Sequence, residues 1–279
     1  MNVEIAIKEA NNLLKNMGII SYELDTEILM LDISKLKKKD IILDKNIEIS
    51  NENYLKFKKL VYERSLNKPV SYLINKKNFW NNEFFVNESV LIPRPETEHL
   101  VEEALELTKN KSGNILDLGV GSGCIILSIL SENKKLRGVG IDIKRGPIYV
   151  SNINAKKLGI KNRVKFFKSD VDNFNYGKYD LIVSNPPYIK FNKLKELEKN
   201  VIGYEPLTAL DGGLDGISEI RKVIITASKL IKINGKFLIE IASDQKNKVV
   251  DLMKRKGFYI NKIIKDYSNK DRCIVSTKI

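Results

Sequence analysis

A strand-ending turn with the sequence Asn-Pro-Pro-Tyr occupies residues 185–188, directly after the apolar run 179–184. That run is typical of a buried strand in a parallel sheet, and Pro186 and Pro187 must end it, because proline has no N–H to donate to a neighbouring strand. In α/β sheets, ligands bind beyond the carboxyl ends of the strands. Taken alone, the same four residues also suit a plain turn without a function.

The residue types in this turn suit the methylation of a planar amino group. A conjugated nitrogen is a weak nucleophile, so a site assists it by accepting hydrogen bonds from both of its N–H groups. Asn185 offers a side-chain carbonyl oxygen, and Pro186 offers a backbone carbonyl with no N–H of its own. Tyr188 can stack on a flat π-system. We predict that Asn185, Pro186 and Tyr188 are catalytic and that they bind the substrate together with Pro187.

A glycine-rich turn suggests a second ligand beside the first. The short apolar strand 113–118 is followed by Gly-Val-Gly-Ser-Gly at 119–123 and by an apolar helix from Cys124. Glycines let the backbone approach a ligand closely. A dinucleotide fingerprint would need glycine where Cys124 stands, and no Gly-Lys-Ser/Thr follows, which excludes a P-loop. The charge of Asp117 disfavours a pyrophosphate and favours a cationic amino-acid ligand.

Two more acids stand at predicted strand ends. Asp142 ends the strand 137–141, where a carboxylate can hold both hydroxyls of a ribose. Asp170 follows the strand 164–167 and can meet an adenine amino group. Each acid alone also suits a helix N-cap or a solvated turn. Together, these motifs predict that S-adenosyl-L-methionine is bound by Asp117, Gly119, Val120, Gly121, Ser122, Gly123, Asp142, Asp170, Val171 and Asn185.

The chain resembles the HemK/PrmC class of protein methyltransferases over nearly its whole length. The resemblance is carried by residues 91–98, 117–123, 183–189, 204–206, 209–213, 240–242 with Gln245, and 271–272. It implies methylation of the side-chain amide nitrogen of a glutamine in peptide chain release factors, with S-adenosyl-L-methionine as methyl donor. It also implies an α/β fold, namely the seven-stranded, Rossmann-like sheet of class I methyltransferases with a small N-terminal helical domain.

The sequence departs from the usual pattern of that class at four places. Val120 stands where threonine is usual, and Val171 stands where tryptophan is common. Asn75 replaces an expected glycine, and Asp142-Ile143-Lys144 replaces an Asp-x-Ser pattern. None of these departures removes Asn185 or the three glycines of the loop.

The length and periodicity of the chain predict two domains. Residues 1–67 carry helical spacing, with one apolar stripe formed by Val3, Ile7, Ala10, Leu14 and Met17, and Ser50 is placed to cap a further helix. This region suits either a structural appendage or a substrate-recognition domain, and the resemblance favours recognition. Residues 68–92 are expected to form a linker with a β-hairpin that turns at Asn81-Asn82. Residues 93–279 are expected to form the methyltransferase domain.

The final third of the chain predicts the rest of the sheet. A strand is expected at 235–241, and the close spacing of 258–264 and 273–277 predicts a terminal hairpin inserted antiparallel. The long segment from Asn185 to Gly216 is expected to form a loop near the site. Pro95 suits the first turn of a helix that continues through His99.

Composition limits the other functions. The net charge is +13, but lysines are spread along the chain, so we expect no direct nucleic-acid binding. With one histidine and two cysteines without ligand spacing, no metal site is expected. We found neither a signal peptide nor a membrane-spanning run, so we expect a cytoplasmic monomer with a release factor as protein partner.

Two rival enzymatic functions share the same chemistry. One is methylation of a ribosomal-protein glutamine. The other is methylation of an amino group in DNA or RNA, which would need a base-reading domain that residues 1–67 do not suggest. A module that binds the cofactor without catalysis is a more distant alternative, because Asn185 is intact. For every enzymatic reading we expect direct in-line displacement without a strong general base.

Overall fold

The computed structural model describes residues 1–44 and 46–279. Its α-helices are α1 (Val3–Asn16), α2 (Tyr22–Ser34), α3 (Lys38–Leu43), α4 (Asn51–Ser65), α5 (Val70–Leu73), α6 (Glu98–Thr108), α7 (Cys124–Glu132), α8 (Arg145–Lys157), α9 (Lys199–Ile202), α10 (Ser218–Leu230) and α11 (Lys246–Arg255). Its strands are β1 (Lys76–Phe79), β2 (Asn82–Phe85), β3 (Gly113–Leu118), β4 (Leu136–Asp142), β5 (Val164–Lys168), β6 (Tyr179–Ser184), β7 (Ile231–Glu240), β8 (Phe258–Lys265) and β9 (Asp271–Lys278).

Internal contacts divide the chain into two units. The N-terminal unit contains residues 1–76 and 198–204, and the larger unit contains residues 77–197 and 205–279. The break after Lys76 falls within the segment expected as a linker, 68–92. The domain bounds proposed from the sequence stay a prediction.

The apolar stripe of α1 forms part of the core of the N-terminal unit. Val3, Ala10 and Leu14 are buried, and the Asn2 side chain caps the helix by accepting the Ile5 N–H at 3.1 Å. The expected continuation of the stripe to Met17 is wrong. α1 ends at Asn16, so Met17 leaves the helical face and is 52% exposed.

The helix α4 begins as the sequence predicts. The Ser50 hydroxyl accepts the Asn53 N–H at 3.2 Å, which satisfies one of the free amides of the first turn. Phe57 and Val61 are buried one turn apart on the face that joins the core of the N-terminal unit. The same helix carries Arg64, whose Nε donates to Asp25 Oδ2 at 2.7 Å in a buried ion pair.

The larger unit is built on a seven-stranded sheet in the order β5-β4-β3-β6-β7-β9-β8. The first five strands pair in parallel, and β9 lies antiparallel between β7 and β8. The predicted seven-stranded α/β methyltransferase fold and its antiparallel terminal hairpin are therefore confirmed.

Helices cover both faces of this sheet. On one face, α6, α7 and α8 bury residues such as Leu100, Ile126 and Ala155. On the other face, α10 and α11 bury residues such as Ile224 and Met253. A doubly covered sheet explains why consecutive residues of β3 and β6 are buried, rather than every second one. Within the described part of the chain, no helix is both long enough and apolar enough to cross a membrane.

The strands β1 and β2 pair in a separate two-stranded sheet. The turn between them is Trp80-Asn81, so the predicted turn at Asn81-Asn82 is wrong by one residue. Trp80 has a φ of +52°, a conformation that is uncommon for a bulky side chain. It is held there by Glu98, whose carboxylate accepts the Trp80 N–H at 2.7 Å. Glu132 accepts the indole N–H at 3.0 Å.

The Arg64–Asp25 pair yields a stability prediction for the N-terminal unit. Arg64→Met should leave a buried carboxylate without its cation and lower the free energy of unfolding by about 3 kcal/mol. Lys56→Met removes an ion pair of the same helix that is largely exposed, and it should cause no measurable loss. Hydrogen exchange in α2 and α4 measures both. Equal effects of the two substitutions would show that burial of the Arg64 pair does not matter.

Candidate functional site

Parallel pairing brings three sequence motifs to one edge of the sheet. Asp117 of β3 is in register with Gly140 of β4 and with Val183 of β6, so the three strands end together. The loop after β3 is tied to the end of β4, because the amides of Gly119 and Val120 both donate to the Ile141 carbonyl, at 3.0 and 2.8 Å. The motifs that follow these strands therefore meet.

A cavity opens at this edge. The predicted site residues that line it are Gly119, Val120, Gly121, Ser122, Asp142, Asp170, Val171, Asn185 and Pro187. Four other predicted residues do not line it, namely Asp117, Gly123, Pro186 and Tyr188. Asp117 is fully buried, and the Tyr188 hydroxyl is directed to Glu240. The two proposed ligands would thus share one cavity, with part of the predicted set held behind its wall.

The three glycines of the loop have different functions. All have positive φ: +83° at Gly119, +53° at Gly121 and +82° at Gly123. A Cβ on Gly123 would lie 2.9 Å from Leu127 Cδ1, so this glycine is needed for packing against α7. A Cβ on Gly119 or Gly121 would meet nothing within 4 Å. These two glycines therefore keep open space, which a ligand can enter.

Asp117 is a buried carboxylate that lacks a partner. Neither of its oxygens has an aligned hydrogen-bond donor among the described residues. Burial raises its pKa to about 7, the Ile126 amide nearby opposes that shift, and the charge of Asp142 adds to it. An orphaned buried acid is costly unless a cation joins it. The ammonium group of an amino-acid ligand, such as that of S-adenosylmethionine, would supply the missing cation.

Asp142 lies where β4 meets the glycine loop. Its Oδ2 accepts the Gly121 N–H at 3.2 Å, and its Oδ1 accepts the Lys144 N–H at 3.0 Å. Burial is the largest influence on Asp142 and raises its pKa. A carboxylate has about four acceptor positions, so two remain for ligand hydroxyls. The residue can hold the loop and a ribose at the same time.

A further part of the cavity wall lies after β5. Asp170 and Val171 both line it, and Asp170 Oδ1 accepts the Asp172 N–H at 3.2 Å as the cap of a short 3-10 turn. The Val171 carbonyl accepts the Thr226 hydroxyl at 3.0 Å, which fixes the backbone beside the cavity. Asp170 thus caps a turn and also lines the cavity.

Asn185 is oriented by Thr97 and Glu240, two residues that the sequence did not predict to belong to the site. Its Nδ2 donates to Thr97 Oγ1 at 3.1 Å, and Thr97 Oγ1 donates to Glu240 Oε2 at 2.7 Å. The Tyr188 hydroxyl donates to Glu240 Oε1 at 3.4 Å. Both Thr97 and Glu240 lie within the motifs that carry the family resemblance. The acid at the end of the apolar strand β7 was the signal available in the sequence.

Residues around the mouth of the cavity are joined across a long loop. The Arg94 guanidinium donates to Glu205 Oε1, and Glu205 Oε2 accepts the Ile92 N–H at 3.1 Å. The Glu205 side chain is almost fully buried, whereas Arg94 is partly exposed and lines the cavity. This pair fixes the segment before Pro95 to the segment that begins at Glu205.

The start of the loop after β6 is hydrogen-bonded to a later part of the same loop, around residues 210–212. The Ile189 N–H donates to the Leu210 carbonyl at 3.0 Å, and the Gly212 N–H donates to the Ile189 carbonyl at 2.8 Å. Gln245 Nε2 then donates to the Tyr188 carbonyl at 2.9 Å. The Asn-Pro-Pro-Tyr turn is therefore fixed from two sides, as a site for an oriented ligand requires.

Comparison with family models finds two matches. Residues 6–74 match the model described as PrmC N-terminal domain, and residues 97–203 match the model described as Methyltransferase small domain. The two matched regions follow one another along the chain.

Curated relatives match at full length. A release factor glutamine methyltransferase of Buchnera aphidicola subsp. Schizaphis graminum is 36% identical over 278 residues, with 100% of both chains covered. The enzyme of that name from Caulobacter vibrioides is 34% identical, with 96% of this chain and 94% of the relative covered. That from Leptospira interrogans is 36% identical, with coverage of 98% and 96%.

Solved structures match in fold. A ribosomal protein L11 methylase from Lactobacillus delbrueckii subsp. bulgaricus gives a TM-score of 0.53 at 16% identity, covering 69% of this chain and 83% of that one. A methyltransferase from Pyrococcus furiosus gives 0.51 at 14% identity, covering 70% and 88%.

The open space at Gly121 yields a prediction about the ligand. Gly121→Ala places a methyl group in the cavity without a clash, and it should weaken S-adenosylmethionine binding at least tenfold. Gly159→Ala is the matched control, because Gly159 has a similar φ of +68° and the same open surroundings but lies outside the cavity lining. Calorimetry on both variants measures the affinity. Equal affinities in the two variants would remove this loop from the ligand site.

A second prediction concerns Asp142. Asp142→Ala should weaken S-adenosylmethionine binding by about 1–3 kcal/mol, the scale for hydrogen bonds to a charged group. The variant should still fold, because Asp142 lies at a strand end rather than in either apolar core. Titration calorimetry measures the affinity, and circular dichroism checks the fold. An unchanged dissociation constant would mean that Asp142 only shapes the loop.

Proposed function

The chain belongs to the release factor glutamine methyltransferase family, and we propose what each of its site residues contributes to the reaction. The enzyme is a protein-glutamine methyltransferase that uses S-adenosylmethionine and acts on release factors. We propose that Asn185 and Pro186 hold the substrate glutamine, and that the glycine loop with its acids holds the cofactor.

The orientation of the Asn185 amide carries this proposal. Its nitrogen is engaged by Thr97. Its carbonyl oxygen is therefore the atom left for a ligand, and Asn185 lines the cavity. A glutamine side chain offers an amide with two N–H donors, so one can meet Asn185 Oδ1 and the other the Pro186 carbonyl. The resulting pose directs the nitrogen lone pair into the same cavity.

The cofactor assignment follows from the polar groups around the cavity. Asp117, buried behind the cavity wall, supplies the negative charge that attracts an ammonium group, and Asp142, which lines the cavity, supplies the acceptors for ribose hydroxyls. Gly119 and Gly121 leave open the space that the cofactor would occupy next to the loop. Asp170 and Val171 are proposed at the adenine ring. S-adenosylmethionine supplies, when bound, an electrophilic methyl group on a sulfonium.

The residues of the chain contribute placement rather than acid–base chemistry. Aligning two reactants in one cavity is worth about 7–11 kcal/mol in favourable cases. The amide nitrogen becomes cationic as it takes the methyl group, and Asn185 Oδ1 and the Pro186 carbonyl stabilise that charge through its N–H groups. The nitrogen then loses a proton readily, so the mechanism needs no strong general base. Contact of Tyr188 with the substrate stays a prediction.

The protein substrate needs a surface beyond the cavity, and we propose that the N-terminal unit supplies it. This unit has its own core and exposes the apolar side chains of Met17, Ile20 and Leu24. Exposed apolar residues of this kind suit contact with a protein partner. Because release factors act in translation, the proposal places the enzyme in the cytoplasm. A monomer without nucleic-acid contacts is the simplest form consistent with this partner.

The proposal predicts a separation of binding from chemistry. Asn185→Ala should leave S-adenosylmethionine affinity nearly unchanged and reduce methyl transfer by about 10²–10³, the loss typical of a missing oriented hydrogen bond in a transition state. Single-turnover transfer to a release factor gives the rate, and calorimetry gives the affinity. Asn152→Ala, on the exposed face of α8, is the control. Transfer at the wild-type rate in Asn185→Ala would refute the amide-holding role.

The same assay separates the rival substrates. Labelled cofactor is offered with a release factor, a ribosomal protein, DNA and RNA in separate reactions. Label in the release factor glutamine alone supports the proposal. Label in a ribosomal protein or in nucleic acid would show that Asn185 holds an amino group of that substrate class instead.

A further inference from the structure

A buried polar chain that the reaction described above does not use begins at Thr97, which lines the cavity beside Asn185, and ends at Glu240, which does not line it. Thr97 and Glu240 are only 2% exposed each, and they connect the turn before α6 to the end of β7. Neither residue is proposed to touch cofactor or substrate chemically. We propose that Glu240 is a positioning residue that acts through Thr97 to decide which end of the Asn185 amide faces the substrate. This inference rests on the proposed function, in which Asn185 Oδ1 accepts from the glutamine.

Donor and acceptor counting gives the chain its direction. An ionised carboxylate can only accept hydrogen bonds, so Thr97 must give its single hydroxyl proton to Glu240 Oε2. The Thr97 oxygen can then only accept from Asn185, and only the NH2 end of the amide can donate. Asn185 Oδ1 is left on the side away from Thr97. Glu240, which is two hydrogen bonds away from Asn185, thus fixes the orientation of an amide that would otherwise have two similar orientations.

The opposite direction would oppose the reaction. If Glu240 offered a proton to Thr97, the hydroxyl would be free to donate to Asn185 Oδ1, and the amide would turn over. Asn185 would then present NH2 to the NH2 of the substrate glutamine, so that two donors would face each other. The substrate nitrogen would lose an acceptor and its alignment with the methyl donor.

The surroundings of Glu240 include charges of both signs. Arg272 on β9 attracts the carboxylate, and Glu96 in the turn before α6 repels it. Tyr188 donates to its second oxygen, and the thiols of Cys124 and Cys273 lie near enough for each to feel its charge. Burial raises the pKa values of Tyr188 and of both thiols, so these three groups stay neutral near neutral pH.

These influences place the titration of Glu240 within reach of an assay. Burial is the largest of them and raises the pKa of Glu240 to about 7, against the lowering effects of the Thr97 hydrogen bond and of Arg272. The ionised form holds Asn185 in the productive orientation. Methyl transfer at saturating cofactor should therefore fall as pH drops through that value and level off above it. The pKa of Asp117 is also about 7. Its protonation changes the affinity for the cofactor, so it does not affect a rate that is measured at saturating cofactor.

The decisive experiment compares two substitutions at Thr97. Thr97→Val keeps the shape and removes the hydroxyl, and it should slow single-turnover methyl transfer by about 10²-fold, the cost of a misplaced reactant. Thr97→Ser keeps the hydroxyl and should restore the rate to within a few-fold of wild type. Cofactor affinity by calorimetry should change less than twofold in both. Thr108→Val, which removes a buried hydroxyl of α6 outside the cavity lining, is the control and should keep the wild-type rate.

Glu240→Gln tests the acid itself. An amide at this position can donate to Thr97 as well as accept, so it no longer imposes one direction. The variant should be slower and should lose the fall in rate between neutral and mildly acidic pH. An unaltered pH profile in Glu240→Gln would overturn the role of Glu240. So would a Thr97→Val enzyme at the wild-type rate, or a Thr97→Ser enzyme as slow as Thr97→Val.

The Asn185→Ala enzyme separates this inference from the function beneath it. If Asn185→Ala is inactive and Thr97→Val is fully active, only the positioning role fails. If Asn185→Ala transfers methyl groups normally, the amide-holding function fails, and the positioning role fails with it.

Discussion

The rest of the site follows from the parallel pairing of five neighbouring strands, which lie in the order β5, β4, β3, β6 and β7. Because these strands run in one direction, their carboxyl ends share one edge of the sheet. The segments at that edge come from distant parts of the chain: the glycine loop after β3, Asp142 on β4, Asn185 after β6 and Glu240 on β7. Backbone hydrogen bonds, rather than side-chain contacts, bring them together. The cavity exists because the strands end at nearly the same height.

Burial at this edge has an electrostatic consequence. Asp117 and Glu240 both lie under the surface, and burial raises the pKa of each to about 7. They differ in what offsets the burial. Glu240 accepts two hydroxyl groups and faces Arg272, whereas Asp117 has no aligned donor among the described residues. A cationic ligand would therefore stabilise the folded enzyme most by pairing with Asp117. Glu240 already has its hydrogen-bond partners in the absence of a ligand.

The irregular segments around the cavity are held by polar contacts of long sequence separation. Arg94 and Glu205 are 111 positions apart, and Gln245 reaches the Tyr188 carbonyl across 57 positions. Hydrogen bonds of this kind hold the loop residues in place, as a site that orients its ligands requires. The arrangement also explains why the family motifs extend well beyond the residues that line the cavity. Many of them hold the loops rather than the ligands.

The sequence by itself determined what depends on near neighbours. Prolines end β6 at Ser184, Ser50 caps α4, and the glycine loop needs positive φ, because each of these effects acts within a few residues. Short apolar runs also predicted the seven strands, and the close spacing of the last two runs predicted the terminal hairpin. Where a local rule met a helix end, it failed, as for Met17, which lies just past α1.

Tertiary structure decided the orientation and charge of the site. Thr97 is 88 positions from Asn185 and 143 from Glu240, and no spacing rule connects residues so far apart. The burial of Asp117 depends on which helices cover the sheet, and the turn at Trp80 depends on Glu98 and Glu132. Hydrogen-bond direction and desolvation arise from neighbours in space. They become defined only when the sheet has brought those neighbours together.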